Sequence, residues 1–296
     1  VKDLTDGKNP GYLDNYSARG SLEYVGSSVT ALLSADIVRM RNGMTPQYIT
    51  TANKASLINA AALALLPAGE DMYHRYFNVE GYENQNSFNL TGRVEWDLGG
   101  ATLTSVSGYR KNRFWRLQDH DGTLANAWVF NNVERNRTLS QELRLSGDSD
   151  TLQWVFGGYF YDNRAFRRDQ AIIGSDFAVP AFAALPGDYN HNLDTTSYAA
   201  FGQVKFDLTD QLSIVGGARY THDKKVSHQD SDPAGPVPRF TAAVTRTWNS
   251  FDPALTLQFQ ANPNVMFYAS YKQGFKSGGF QSLPATAALA AQPFDP

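Results

Sequence analysis

Residues 264–280 read NVMFYASYKQGFKSGGF, and this stretch decides the fold. It follows a tight-turn signal, Ala261-Asn262-Pro263-Asn264. Phe267, Ala269, Tyr271 and Phe275 then fall on one face, and Tyr268, Ser270, Lys272 and Lys276 on the other. A period of two is the strand period, because successive side chains point to opposite sides of a sheet. Aromatic and apolar groups set against lysines describe a sheet with lipid or core on one side and water on the other. The run covers about 14 residues, well past the ~5–6 of an ordinary globular strand. It also exceeds the ~9–11 residues that a tilted membrane-spanning strand needs.

The same alternation recurs along the chain. Phe88, Leu90, Gly92, Val94 and Trp96 oppose Asn89, Thr91, Arg93, Glu95 and Asp97. Strands are also predicted at 16–25, 29–37, 102–115, 138–146, 152–160, 198–206, 212–220 and 247–259. Three of them end alike: Gly20-Ser-Leu22-Glu23-Tyr24, Gly92-Arg-Val94-Glu95-Trp96 and Gly202-Gln-Val204-Lys205-Phe206. One account covers all three. The aromatic sits at a membrane–water boundary and the charge faces a wet lumen. The glycine is expected to relieve crowding where strands curve.

Connection lengths sharpen this reading. Val25–Ser28, Leu98–Ala101, Gly147–Asp150, Thr209–Gln211 and Ala261–Asn264 are short turns. Between them lie 41–85, 116–134, 163–194 and 223–246, far longer than the ~4–6 residues usual in compact domains. Short and long alternate strictly. An up-and-down sheet then has every short turn at one end and every long loop at the other, as outer-membrane barrels do. Within 41–85, the run ASLINAAALALL (55–66) predicts a helix, since Ala and Leu are the best helix formers. Residues 1–4 are read as the end of a strand.

Composition bounds the alternatives. The 296 residues carry a net charge of −3, which gives no argument for nucleic acid as a partner. No apolar run reaches the ~18 residues of a membrane-spanning helix, but a barrel with a polar lumen passes that test unseen. The chain has no cysteine, so disulfides, thiolate metal sites and cysteine nucleophiles are excluded. No signal peptide is visible at the start, and both ends are read as internal to a longer protein.

Tyr271-Lys-Gln-Gly274-Phe275-Lys276-Ser-Gly278-Gly279-Phe280 resembles the GF(K/R)SGGF strand end of TonB-dependent outer-membrane receptors. Ser140-Gln-Glu142-Leu-Arg144-Leu145, Phe156-Gly-Gly-Tyr-Phe-Tyr161, Phe206-Asp-Leu-Thr-Asp210 and Gly216-Gly-Ala-Arg-Tyr220 are similar to strands of such barrels. The resemblance covers nearly the whole chain and is weakest in 41–85. It implies an all-β fold, a transmembrane antiparallel up-and-down β-barrel. About ten long strands would be roughly half of the 22 in the large plugged transporters. Residues 1–296 are then expected to be a partial barrel domain. The segments 41–85, 116–134, 163–194, 223–246 and 281–296 would be its extracellular loops. The implied function is energy-coupled uptake across the outer membrane of a Gram-negative bacterium, with an iron–siderophore complex as the leading ligand. Implied partners are outer-membrane lipid, a plug domain N-terminal to the barrel, and the TonB-ExbB-ExbD complex acting through that N-terminal region.

Motifs for bond chemistry are missing. There is no G-x-S-x-G, H-E-x-x-H or Walker pattern. Gly274-Phe-Lys-Ser-Gly278 has the wrong spacing for a phosphate loop. No catalytic residue, metal site or cofactor is assigned. Asp119-His120-Asp121, and His228 with Asp230 and Asp232, carry the right atoms for a cation, but solvated loop polarity is the preferred reading. Arg19, Glu23, Arg93, Glu95, Glu142, Arg144, Arg219, Lys272 and Lys276 are expected to line the lumen, where they would also form a ladder of cross-strand ion pairs. Arg110, Arg113, Trp115, Tyr159, Tyr161 and Arg164 lie nearest the outer mouth and are the candidate contacts for an anionic, aromatic ligand. The competing readings are a passive porin and, more remotely, a small-barrel outer-membrane enzyme built around His120 or His222.

Overall fold

The computed structural model describes residues 2–44, 55–179, 187–233, 235 and 237–295. Ten strands form the main sheet: β1 Leu13–Val25, β2 Val29–Met44, β3 Gly81–Asp97, β4 Thr102–Asp119, β5 Trp128–Asp148, β6 Leu152–Ile173, β7 Gly187–Asp207, β8 Leu212–Asp232, β9 Phe240–Asn262 and β10 Val265–Lys272. Each pairs antiparallel with its sequence neighbours, so the order across the sheet is the order along the chain. Among the described residues β1 and β10 are edges and do not pair with each other, so the sheet is open. No helix among the described residues is long and apolar enough to cross a membrane. Any crossing falls to the strands.

The short turns form where expected. Gly99 adopts φ 82°, a left-handed conformation that favours glycine, and the Leu98 amide donates to the Ala101 carbonyl at 2.8 Å. The strands, however, run far into the expected long connections. Residues 41–44, 81–85, 116–119, 128–134, 163–173, 187–194, 223–232 and 240–246 are all strand. Their backbone ladder continues after the apolar alternation has faded. Polar pairs bridge it: Asn131 Nδ2 donates to Gln170 Oε1 at 2.9 Å, and Asn132 Nδ2 to Asp169 Oδ1 at 2.7 Å. Beyond the apolar alternation polar side chains occupy both faces, the buried Asn132–Asp169 pair among them, so the strand keeps its pairing and loses its pattern.

Three further expectations need correction. Lys2–Asp3 pairs parallel with His74–Arg75 and takes no part in the main sheet. The helix expected at 55–66 is interrupted. Residues 55–57 are helical, Ile58 bridges to Phe177, and a new turn, α1 (Ala60–Leu63), starts at Asn59. Asn59 caps it by accepting from the Ala62 amide at 2.9 Å, a bond that a continuous helix would not use. Finally, the closing strand ends at Lys272, and residues 273–278 are not strand. Phe275 and Lys276 therefore do not continue the alternation. A second short helix, α2 (Ala287–Ala291), packs against β9.

Register sorts the side chains into two walls. Leu22 pairs with Leu33, Leu33 with Gly92, and Ile37 with Phe88. Continuing across the sheet, Leu90 pairs with Tyr109, Leu145 with Phe156, Phe160 with Tyr198, Ile214 with Leu257 and Phe259 with Phe267. One face is therefore a continuous apolar band. Tyr24, Trp96 and Phe206 close it beside the short turns and are 62%, 50% and 43% exposed. Tyr109, Phe160, Tyr198, Tyr220 and Phe251 form a second aromatic tier on the same face. Of the three glycines in the shared strand-end pattern, only Gly202 is crowded: a Cβ there would lie 2.5 Å from Phe156 Cδ1, whereas Gly20 meets nothing within 4 Å.

The opposite face is concave. Side chains as far apart as Gln153 on β6 and Lys272 on β10 line one cavity of about 600 Å³. Flat sheet could not bring them together. The segment after β10 also folds onto this face, where Lys225 Nζ donates to the Gly278 carbonyl and Gln229 Nε2 to that of Gln281 at 2.7 Å.

Candidate ligand-binding wall

The register places Arg19, Glu23, Arg93, Glu95, Glu142, Arg144, Arg219 and Lys272 together on the concave wall. Arg19 faces Asp36, Arg93 faces Val106, Val106 faces Glu142, and Arg144 faces Gly157. Lys276 lies beyond the strand, near enough to Lys225 for the two like charges to oppose each other. The ion pairs run mostly along single strands rather than across them. Arg144 meets Glu142 at 3.1 Å, Lys205 meets Asp207 at 3.1 Å, and Arg93 meets Glu95. Residues i and i+2 share a face, so each strand supplies both partners. Arg19–Asp36 at 3.9 Å and Arg167–Glu134 at 3.2 Å do cross between strands.

The six outer-mouth candidates do not form one site. Arg110, Tyr159 and Tyr161 are on the concave wall: Arg110 pairs with Thr138, Tyr159 with Glu142, and Tyr161 with Ser197. Arg113, Trp115 and Arg164 are on the apolar, outward wall, since Arg113 pairs with Arg135 and Arg164 with Arg137. Nearness along the chain grouped them, and the parity of each position separates them.

On the concave wall Tyr159 and Tyr161 join others into an aromatic and cationic shelf, with Arg110 on the same wall two strands away. The Tyr159 and Tyr161 rings stack at 6.5 Å with 19° between their planes. Arg219 spans Tyr159 and Phe201, with its guanidinium 5.6 and 5.7 Å from the ring centres. Gly157 makes room for this: a Cβ there would lie 2.5 Å from Phe201 Cζ. Further outward, Lys225 sits 5.5 Å from the Trp248 ring centre. Phe201, Lys225 and Trp248 were not singled out from the sequence. Their parity relative to Phe206, Tyr220 and Leu257 was the available signal. Phe201 and Arg219 line a cavity of about 660 Å³ together with Asp223, Asp252 and Phe275. Guanidinium and ammonium groups held over aromatic faces can receive a ligand that is both anionic and aromatic.

The model for "TonB dependent receptor-like, beta-barrel" matches residues 15–296. The chain belongs to the TonB-dependent receptor family. It is similar to the pesticin receptor of Yersinia enterocolitica, 26% identical over 183 residues, which is 61% of this chain and 26% of that protein. In structure it resembles the ferric yersiniabactin uptake receptor FyuA from Yersinia pestis, with a TM-score of 0.79 and 16% identity over 100% of this chain and 43% of that one. It also resembles BauA, the ferric preacinetobactin receptor from Acinetobacter baumannii, with a TM-score of 0.55 and 14% identity over 96% of this chain and 43% of that one. The chain thus spans about a quarter of the curated relative and under half of either structure.

In this receptor barrel the cation candidates have other employment. Asp119 Oδ1 accepts from the Gly122 amide at 2.7 Å. Asp121 accepts from the Thr123 hydroxyl at 2.6 Å and from the Trp128 amide at 2.8 Å. The His120 ring lies against Trp128 at 4.1 Å. Burial and the neighbouring Asp121 raise the Asp119 carboxyl to about 7, and burial lowers His120. These residues tie the 119–128 loop onto the small core of Ile58, Ala125 and Ala127. Asp230 is held by Arg239 at 2.8 Å. Among the described residues no group of three or more His, Cys, Asp or Glu is placed to hold a metal ion.

Proposed function

We propose that residues 1–296 are barrel wall of a receptor in the outer membrane of a Gram-negative bacterium, and that the whole protein imports a ferric siderophore. The connections at the long-loop end face the exterior, and the short turns face the periplasm. A plug domain elsewhere in the protein fills the concave side, and the TonB-ExbB-ExbD complex supplies the energy for release inward. The observation that carries this reading is the shelf of Tyr159, Tyr161, Phe201 and Arg219 on the concave wall, with Lys225 over Trp248 further outward. It offers fixed cations beside aromatic faces, which match a siderophore's anionic iron-binding groups and aromatic rings. The ligands of similar receptors, a ferric yersiniabactin uptake receptor among them, support the same ligand class. The barrel makes and breaks no covalent bond. Its part is to select the ligand and guide it.

The test is growth under iron restriction. A strain lacking its own siderophore receptors would produce the full-length protein and be offered a panel of ferric siderophores. Growth should be restored by one chemical class and only with TonB intact. Restoration without TonB would identify a passive pore and sink the proposal.

A further inference from the structure

The outward wall carries a charge cluster that ligand import does not use. Lys111 pairs with Arg137, and Arg137 with Arg164. One tier further out, Arg113 pairs with Arg135, and Arg135 with Phe166. Five cations thus occupy neighbouring positions on β4, β5 and β6, all of them exposed. Like charges directly opposite in a sheet repel and cost stability. Among the described residues only Arg164 has an acidic partner, Asp162 at 3.8 Å. Asp194, opposite Arg164, borders the cleft of about 490 Å³ between these side chains. Arg113 and Arg135 lean on Trp115 and Phe166, at 5.1 and 5.6 Å, which fixes their guanidiniums along the wall.

Height identifies what meets this cluster. A strand tilted by about 40° climbs roughly 2.6 Å along the barrel axis per residue. Trp154, near the short-turn end, and Arg164 are ten residues apart on β6, hence about 26 Å in height. The apolar band of such barrels is about 25 Å tall. The cluster therefore lies where the band gives way to headgroups. A second cleft, of about 450 Å³, opens on the same wall between Leu143, Phe160, Tyr198 and Tyr220, floored by the small residues Gly158 and Ala200. It starts about 10 Å below Arg137 and Arg164, four residues down β5 and β6, and its lining is almost wholly apolar.

We propose that this wall seats a phosphorylated lipid of the outer leaflet. Its phosphates rest on Lys111, Arg113, Arg135, Arg137 and Arg164, and an acyl chain lies in the cleft over Gly158 and Ala200. Arginine suits the headgroup because its planar fork meets phosphate with two hydrogen bonds. The cations would otherwise repel one another, and the lipid's charge relieves that. The seat rests on the orientation proposed above, which cysteine labelling reports separately.

The test uses the full-length protein purified from outer membranes in mild detergent. Retained lipid is identified by native mass spectrometry, and phosphorus is counted per protein. The wild type should keep a phosphorylated lipid. Arg135→Gln, Arg137→Gln and Arg164→Gln combined should lower retention at least tenfold, and the same three changed to Lys should keep at least half. Gly158→Leu alters no charge and has space, since a Cβ there meets nothing closer than the Ala199 carbonyl at 3.8 Å. It should still lower retention several-fold by filling the cleft. Arg93→Gln, Arg144→Gln and Arg246→Gln on the concave wall should leave retention unchanged. If the triple Gln variant fails to fold, judged by heat-modifiable gel migration, Arg137→Gln alone should lower retention about threefold. Equal retention in the outward and concave variants would overturn the proposal. So would displacement of all bound phosphorus by inorganic phosphate with no acylated species in the spectrum, which would mark a simple anion site.

Discussion

Replacing Leu90 with arginine places a guanidinium on the outward wall near the middle of the apolar band. Leu90 pairs with Ala35 on one side and Tyr109 on the other. It stands six residues from Trp96 on β3, so about 16 Å above the aromatic tier at the short turns and within about 3 Å of the midplane of a 25 Å band. An arginine at that depth costs about 2–4 kcal/mol, because neither lipid tails nor backbone can solvate it. Thr91, the next residue, pairs with Ser34 and Gly108 on the concave, wet wall. Arginine there should cost well under 1 kcal/mol, as an exposed substitution away from packed features. Phe156 makes an internal control. It lies two residues from Trp154, only about 5 Å above that tier, where the burial penalty falls toward about 1 kcal/mol. The ring it loses adds a packing cost, since it closes over Gly202. The assay is reversible folding of the full-length protein into bilayers, followed by denaturant titration and heat-modifiable migration. The expected order of damage is Leu90→Arg, then Phe156→Arg, then Thr91→Arg. Equal damage at positions 90 and 91 would refute the division into two walls.

Cysteines placed at Gly69, Asn126 and Gly235 in the full-length protein should react with an impermeant reagent on intact cells, and those at Gly99, Asp150 and Asp210 should not; the reverse pattern would invert the orientation. A further loop position, Ala183, lies outside the described residues. Gly157→Val should drive Phe201 and Arg219 off their shelf and cost about 1–3 kcal/mol by overpacking, which thermal unfolding would report. The 119–128 loop should loosen at high pH. The Asp119 carboxyl is held at about 7, above its ordinary 3.8, so the fold favours its neutral form. That stabilisation is complete below the ordinary value and is lost as pH rises through about 7. Amide exchange in the loop, corrected for its intrinsic pH dependence, should be several-fold faster at pH 8 than at pH 5.5. Asp119→Asn should remove the difference, and a flat profile in the wild type would contradict the cause given.

The strands were legible wherever one face meets lipid. Leu90 opposite Thr91 or Leu143 opposite Glu142 is a contrast that only a half-buried sheet produces. It vanished in Asn131, Asn132 and Gln170, which are just as firmly paired but belong to a stretch with polar side chains on both faces. That is why the loops were drawn too wide. The candidate site was half legible for a related reason. Arg113, Trp115 and Arg164 have the right chemistry at the right height, but their parity puts them on the other wall. The turn of the chain after Lys272 was hidden because Phe275 and Lys276 continue the alternation in letters, while residues 273–278 leave the sheet.

The account stands on the claim that alternation sorts chemistry between two walls, with the imported ligand on the concave one. Titration of the purified full-length protein with a ferric siderophore, read by tryptophan fluorescence, tests this most directly. Arg110→Gln, Tyr159→Ala and Tyr161→Ala combined should weaken binding at least tenfold, which is about 1.4 kcal/mol. Arg113→Gln, Trp115→Leu and Arg164→Gln combined should leave the dissociation constant within about twofold, ~0.4 kcal/mol. The opposite ranking would place the ligand's contacts on the outward wall and contradict the account.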